Sequence, residues 1–151
     1  EQMELLHKVN LFAGAEINRL AIPKMIENRS GTIIHVGSIA SQEAVGSVGY
    51  NTVKAALAAY VRSLGREMAS SGIIVTGILP GGFTAPENAM IRLQEKKPEV
   101  YNSFIKERLP RKKMGSVMEI IPLVCLLASE AGSMMSGCCV PIDAGEGTAY
   151  I

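Results

Sequence analysis

The sequence predicts an α/β fold built on a parallel sheet. Three observations carry this. Short, continuous β-branched runs at 32–36, 73–79 and 137–142 alternate with longer Ala- and Leu-rich segments. That order, strand, helix, strand, helix, strand, gives parallel pairing through right-handed crossovers. The runs are apolar throughout rather than alternating, as expected of strands covered on both faces. Pro141 lies in the last run, and a proline cannot donate to a ladder, so that strand is placed at a sheet edge or end.

The elements follow in order. Residues 2–28 read as a helix, with Leu5, Val9, Phe12, Ala13 and Ile17 near helical spacing. Pro23 is expected to kink or break it. Asn28-Arg29-Ser30-Gly31 is turn chemistry, and its match to a glycosylation sequon is read as chance. Residues 47–70 form a long helix with Gly72 as its stop. Pro80-Gly81-Gly82 ends the second strand. A polar segment at 87–108 is partly helical and interrupted by Pro98. Ser116-Val117-Met118-Glu119 fits a capping box, Ser116 as cap and Glu119 reaching back, opening a helix that runs to about Ser129.

Bulk properties narrow the function. With 151 residues, 48% hydrophobic and 19% charged, the chain suits a single domain over 1–151 with a buried core. A net charge of +1 gives no electrostatic reason to expect nucleic acid or an anionic membrane as partner. The basic run Arg111-Lys112-Lys113 reads as a solvated turn. No apolar stretch reaches about 18 residues, so no transmembrane helix is expected. Glu1-Gln2-Met3-Glu4 is not a signal-peptide start. The opening without an initiator Met suggests a truncated coding region. The three cysteines lack metal-ligand spacing, so no metal is expected. Cys125 reads as core, Cys138 and Cys139 as small buried hydrophobes, and reduced thiols point to the cytoplasm.

Four positions stand out chemically. Tyr50 and Lys54 are placed at i and i+4 on one helix face. A free phenol has a pKa of about 10, and a neighbouring cation favours its phenolate, so such a pair suits general acid–base work. Taken alone, it also fits a surface pair. Ser38 follows the first strand at its carboxyl end, where open α/β sheets bind ligands. Taken alone, it also reads as a loop or capping serine. Pro80-Gly81-Gly82 ends the next strand, and glycine there lets backbone approach a ligand closely. Asn10 sits amid Val9, Leu11 and Phe12, where its amide is satisfied locally or holds water near the site.

Together these residues resemble the short-chain dehydrogenase/reductase family from its fourth helix to the C-terminus. Val9-Asn10-Leu11 resembles the family's helix asparagine, Gly37-Ser38 its serine, Tyr50-x-x-x-Lys54 its Tyr/Lys motif, and Pro80-Gly81 its Pro-Gly turn. Arg108-Leu109-Pro110, Met114-Gly115, Glu119-Ile120, the helix end Leu126-Leu127-Ala128-Ser129, Gly137 and Asp143-Ala144-Gly145 continue the register. The resemblance implies a partial Rossmann-like doubly wound parallel sheet and an NAD(P)-dependent oxidoreductase that interconverts a small-molecule carbonyl and alcohol by hydride transfer.

In that implied mechanism Tyr50 is the acid/base. Lys54 favours its phenolate and bonds the nicotinamide ribose, Ser38 polarises the carbonyl, and Asn10 anchors a water. The implied cofactor-binding residues are Tyr50, Lys54, Pro80, Gly81, Phe83 and Thr84, with NAD and NADP not discriminated. A homodimer or homotetramer is implied, formed through the helices at 2–28 and 47–70 and through the last strand with Tyr150-Ile151. The family's glycine-rich cofactor turn does not precede Asn10. The chain is therefore expected to be a fragment that binds cofactor poorly, with the edge at 32–36 exposed and aggregation-prone. Two spacings depart from the family: Ser38 to Tyr50, and the turn before Thr84, are each a residue shorter than in many members. The alternative reading is a non-catalytic binding module derived from the same family. A substrate related to surface sugars and a 3-oxoacyl thioester both remain open.

Overall fold

The computed structural model describes residues 2–149, so the interface expected at Tyr150-Ile151 lies outside the described residues. The N-terminal helix comprises α1 (Gln2–His7), a single π-turn (Lys8–Phe12) and α2 (Ala13–Asn28). The π-turn has a local cause in the sequence. The Asn10 side-chain amide donates to Leu6 O at 3.1 Å, competing with the backbone for that carbonyl.

The break expected at Pro23 does not occur, because α2 is continuous through it. Pro23 lies on the exposed face together with Arg19, whose carbonyl loses its helical donor. Water can serve that carbonyl, so the helix survives. It stops instead at Arg29, which adopts the left-handed conformation with φ 49°.

Strand β1 (Gly31–Val36) leads through a short 3₁₀ turn (Ile39–Ser41) to α3 (Val48–Met68), and β2 (Ile73–Pro80) follows. Ser47 caps α3, accepting from Tyr50 N, and Gly72 at φ 74° turns the chain into β2. Beyond β3 (Phe83–Thr84) come α4 (Ala89–Lys96) and α5 (Pro98–Arg108), with Pro98 opening the second helix. Then follow β4 (Gly115–Ser116), α6 (Val117–Ala128), a 3₁₀ turn (Glu130–Met135) and β5 (Cys139–Ile142). The capping box at Ser116 and Glu119 is formed with both of its reciprocal bonds.

The main sheet is parallel with order β1-β2-β5, and β3-β4 form a small parallel pair beside it. Pro141 lies on an edge strand, as its missing N–H requires. The period-2 alternation of β2 sends Ile73 and Val75 to one face, where they meet Val61, Ile22, Met25 and Leu64 from α2 and α3. Ile78 goes to the other face, against Ile120, Leu123 and Leu127 of α6. Helices thus cover both sides of the sheet, the doubly wound arrangement. The outer edge of β1 carries no strand among the described residues, and Val36 on it is 59% exposed.

Two expectations need correction or refinement. Cys125 is exposed rather than core. Ile120, Leu123, Val124 and Leu127 form the sheet-facing stripe of α6, and Cys125 falls outside it, on the side with Ile121 and Leu126. The basic turn is exposed, but Arg111 pairs with Glu119 at 2.8 Å and Lys112 Nζ donates to Lys106 O.

Candidate active site

The carboxyl ends of β1 and β2 open into a cavity of about 380 Å³, the position at which open parallel sheets bind ligands. Ser38 leaves β1 in an extended conformation and lines this cavity. Its Oγ accepts from Ala40 N at 3.1 Å, which caps the 3₁₀ turn and leaves the hydroxyl proton free to donate elsewhere. Tyr50, in the first turn of α3, lines the same cavity.

Lys54 lies one turn further along and is only 7% exposed. Its Nζ donates to Val36 O at 3.1 Å and sits 5.5 Å from the centroid of the Tyr50 ring, within cation–π range. Burial disfavours the ammonium and pulls its pKa below the ordinary lysine value. One carbonyl satisfies one of three donors, so the ammonium retains hydrogen-bonding capacity beside the phenol ring.

The loop between Ser38 and Tyr50 is held by Asn51. Its Nδ2 donates to Glu43 O and its Oδ1 accepts from Gly46 N at 2.9 Å. A Cβ at Gly46 would meet Asn51 Oδ1 and the Tyr50 ring, each at 2.8 Å, so only glycine lets the loop close over the tyrosine. The Glu43 carboxylate accepts from Thr148 N and Ala149 N, tying this loop to the C-terminal tail.

The Pro80-Gly81-Gly82 turn forms the opposite wall, with Phe83. A Cβ at Gly81 would lie 2.7 Å from Asp143 Cβ and from Glu146 Oε2, so this glycine admits a close approach within the chain itself. Gly82 N donates to Glu146 Oε2 at 2.5 Å, and Arg108 Nη2 lies 3.4 Å from Glu146 Oε1. Among the described residues no group of three His, Cys, Asp or Glu side chains could hold a metal ion, and no helix is long and apolar enough to cross a membrane.

The structure therefore gathers Ser38, Tyr50, Pro80, Gly81 and Phe83 on one cavity, with Lys54 packed against Tyr50. It leaves two predicted residues outside. Asn10 donates to a carbonyl of its own helix. Thr84 does not line the cavity, and its hydroxyl donates to Gly115 O at 3.2 Å across the small sheet.

The family model described as Enoyl-(Acyl carrier protein) reductase matches residues 1–146. The chain belongs to the short-chain dehydrogenase/reductase family. One relative within this family is the 3-oxoacyl-(acyl-carrier-protein) reductase FabG of Aquifex aeolicus (strain VF5). It is 31% identical over 139 residues, which are 91% of this chain and 54% of the relative. Another is the 2-dehydro-3-deoxy-L-rhamnonate dehydrogenase (NAD(+)) of Sphingomonas sp. (strain SKA58), 28% identical over 93% of this chain and 54% of the relative.

Among solved structures, a 3-oxoacyl (acyl-carrier-protein) reductase from Agrobacterium tumefaciens C58 with NADP bound is similar with a TM-score of 0.82. Its identity is 25%, covering 92% of this chain and 54% of that one. The L-sorbose reductase of Gluconobacter frateurii has the same fold, at TM-score 0.87 and 24% identity, covering 99% of this chain and 59% of that one. The chain spans about half the length of the curated relatives it matches.

Four functional candidates escape sequence reasoning: Glu43, Asn51, Arg108 and Glu146. Asn51 carried a signal in being next to Tyr50. Glu146 carried one in being a lone charge between Gly145 and Gly147.

Proposed function

We propose that this chain supplies the substrate-facing, nicotinamide-proximal part of an NAD(P)-dependent oxidoreductase that interconverts a carbonyl and an alcohol. The observation that carries this reading is the buried Lys54 ammonium 5.5 Å from the Tyr50 ring, with Ser38 on the same cavity. A buried ammonium is costly unless something stabilises it or uses it, and a phenol beside it has its phenolate form favoured.

The residues present fit the nicotinamide end of such a cofactor. Lys54 has donor capacity left for ribose hydroxyls, and the Pro80–Phe83 turn offers a rigid backbone wall. The bound nicotinamide would supply or accept the hydride. In the reducing direction Tyr50 Oη gives its proton to the carbonyl oxygen. Ser38 Oγ–H donates to that same oxygen and holds the carbonyl in line with the phenol. Lys54 stabilises the phenolate left behind, and reprotonation from solvent resets the site. In the oxidising direction Tyr50 accepts the alcohol proton. Asn10 and Thr84, engaged elsewhere, act at most through the shape of their own elements.

The activities of the relatives support a carbonyl/alcohol substrate, and an NAD(+)-dependent dehydrogenase and an NADP-bound reductase among them support either dinucleotide. The apolar positions Leu5, Val9, Phe12, Ile17 and Leu20, all exposed on the N-terminal helix, support a homodimer or homotetramer. A cytoplasmic location is part of the same reading. The test is NADH and NADPH turnover by a full-length version of the protein, with and without Tyr50→Phe. Loss of a general acid should slow turnover by about 10²–10⁴-fold, and unchanged turnover removes the proton donor and the reading with it.

A further inference from the structure

The proposed active-site cavity contains an ion pair that the chemistry above does not use. Arg108 and Glu146 both line it, together with Ser38, Tyr50 and Phe104. The two charges are not equally available. The Glu146 side chain is 4% exposed and both of its oxygens are engaged, one by Gly82 N at 2.5 Å and one by Arg108 at 3.4 Å. The Arg108 side chain is 34% exposed, with its guanidinium 5.9 Å from the Phe104 ring. No other described residue accepts from its remaining guanidinium N–H groups. Both residues line the cavity, but the carboxylate is almost wholly buried while the arginine side chain is about a third exposed.

The simpler account of Arg108 is a cation in the last turn of α5, favoured there by the helix dipole. That account leaves open why Glu146, besides accepting from Gly82 N, also faces a guanidinium. A carboxylate buried between glycines, and aimed at a residue 38 positions away (146 − 108), does nothing for a helix end. It does fix the position of a guanidinium whose other edge is open.

Resting on the oxidoreductase reading, we propose that the carbonyl substrate carries a carboxylate and that Arg108, on the same cavity as Tyr50 and Ser38, binds it. A guanidinium presents parallel N–H donors that match the two oxygens of a carboxylate, and the pair is charge-assisted. The Phe104 ring lies within cation–π range of the guanidinium, and Glu146, paired with it, is the positioning residue. A hydroxyl in the same place would take one neutral bond.

The test compares two four-carbon probes, threonate and threitol, which differ in a carboxylate against a hydroxymethyl group. Binding to a full-length version of the protein is followed by NMR shift titration. Threonate should bind about tenfold or more tightly than threitol, the margin of a charge-assisted pair over a neutral bond. Arg108→Gln should erase that margin, and Arg108→Lys should keep only part of it. Equal binding of the two probes to the unaltered chain overturns the proposal. So does an undiminished margin in Arg108→Gln. Should Arg108→Gln not fold, by circular dichroism, Arg108→Lys decides: an unchanged margin overturns the fork geometry, and a reduced one supports it. The outcome is separable from the Tyr50 test. Slowed turnover in Tyr50→Phe with no threonate preference defeats only the carboxylate proposal, and undiminished turnover in Tyr50→Phe defeats the reading on which it rests.

Discussion

The two walls of the cavity are built differently. On one side Tyr50 lines it from a helix that also carries its supports Asn51 and Lys54 within one turn, and Ser38 lies a short loop away. On the other, Gly82, Arg108 and Glu146 come from three segments joined only by tertiary contacts. A helix fixes i and i+4 neighbours by its own geometry. The far wall exists only when the turn after β2, the end of α5 and the exit from β5 all dock. In the proposed reading the chemistry falls on the locally determined wall, and the wall assigned to substrate recognition is the one free to vary without disturbing it.

Substitutions can break or sharpen that contrast. The largest effect is expected on the local wall. Lys54→Met should cut turnover by about a hundredfold or more, in the range of acid–base contributions. It should leave the thermal midpoint unchanged or raised, because an apolar side chain replaces a buried ammonium. A lowered midpoint in a melt of this variant would mean that Lys54 is structural.

Next comes the far wall. Glu146→Gln keeps an acceptor for Gly82 N but loses the charge facing Arg108. A loss of about 1–3 kcal/mol is expected in urea unfolding, towards the lower end because Arg108 is partly solvated. Local acid–base chemistry predicts a change in KM well ahead of kcat for this variant. A selective fall in kcat would merge the two walls into one unit. Asn51→Ala is expected to cost about 1 kcal/mol through its two loop bonds, with Gly46 amide exchange accelerating as the direct readout.

The smallest effect lies behind the local wall. Asn18 Nδ2 faces His35 Nε2 at 2.9 Å and Tyr60 Oη at 3.0 Å, a set satisfied by neutral imidazole. Burial lowers the His35 pKa from its ordinary 6.5. The unfolded chain therefore binds this proton more readily, and its share of stability is lost as pH falls from 6.5 through the folded value. Urea unfolding at about pH 7.5 and about pH 5 should show a decline that flattens in His35→Asn. An equal slope in both would assign the decline to other groups.

Much of this architecture is legible in the sequence for the same reason that the first wall is. The β-branched runs, the capping box at Ser116 and the Tyr50–Lys54 spacing are local signals. What sequence reasoning misses is non-local or depends on exposure. Pro23 reads as a break until its solvent-facing side is known. Cys125 reads as core because its apolar neighbours hide which side of α6 meets the sheet. Thr84 reads as a ligand group, and the bond from its hydroxyl to Gly115 O, made possible by the small parallel pair, has no local signal. Glu146 escapes because its partners, Gly82 and Arg108, are distant along the chain.

The Glu43 carboxylate has one more consequence. By accepting from Thr148 N and Ala149 N, 105 and 106 positions away, it makes the tail a drawstring on the loop that brings Gly46 against the Tyr50 ring. Trimming a handful of residues from that end would slacken the segment that leans on the phenol ring, so a change at the periphery would be felt at the centre.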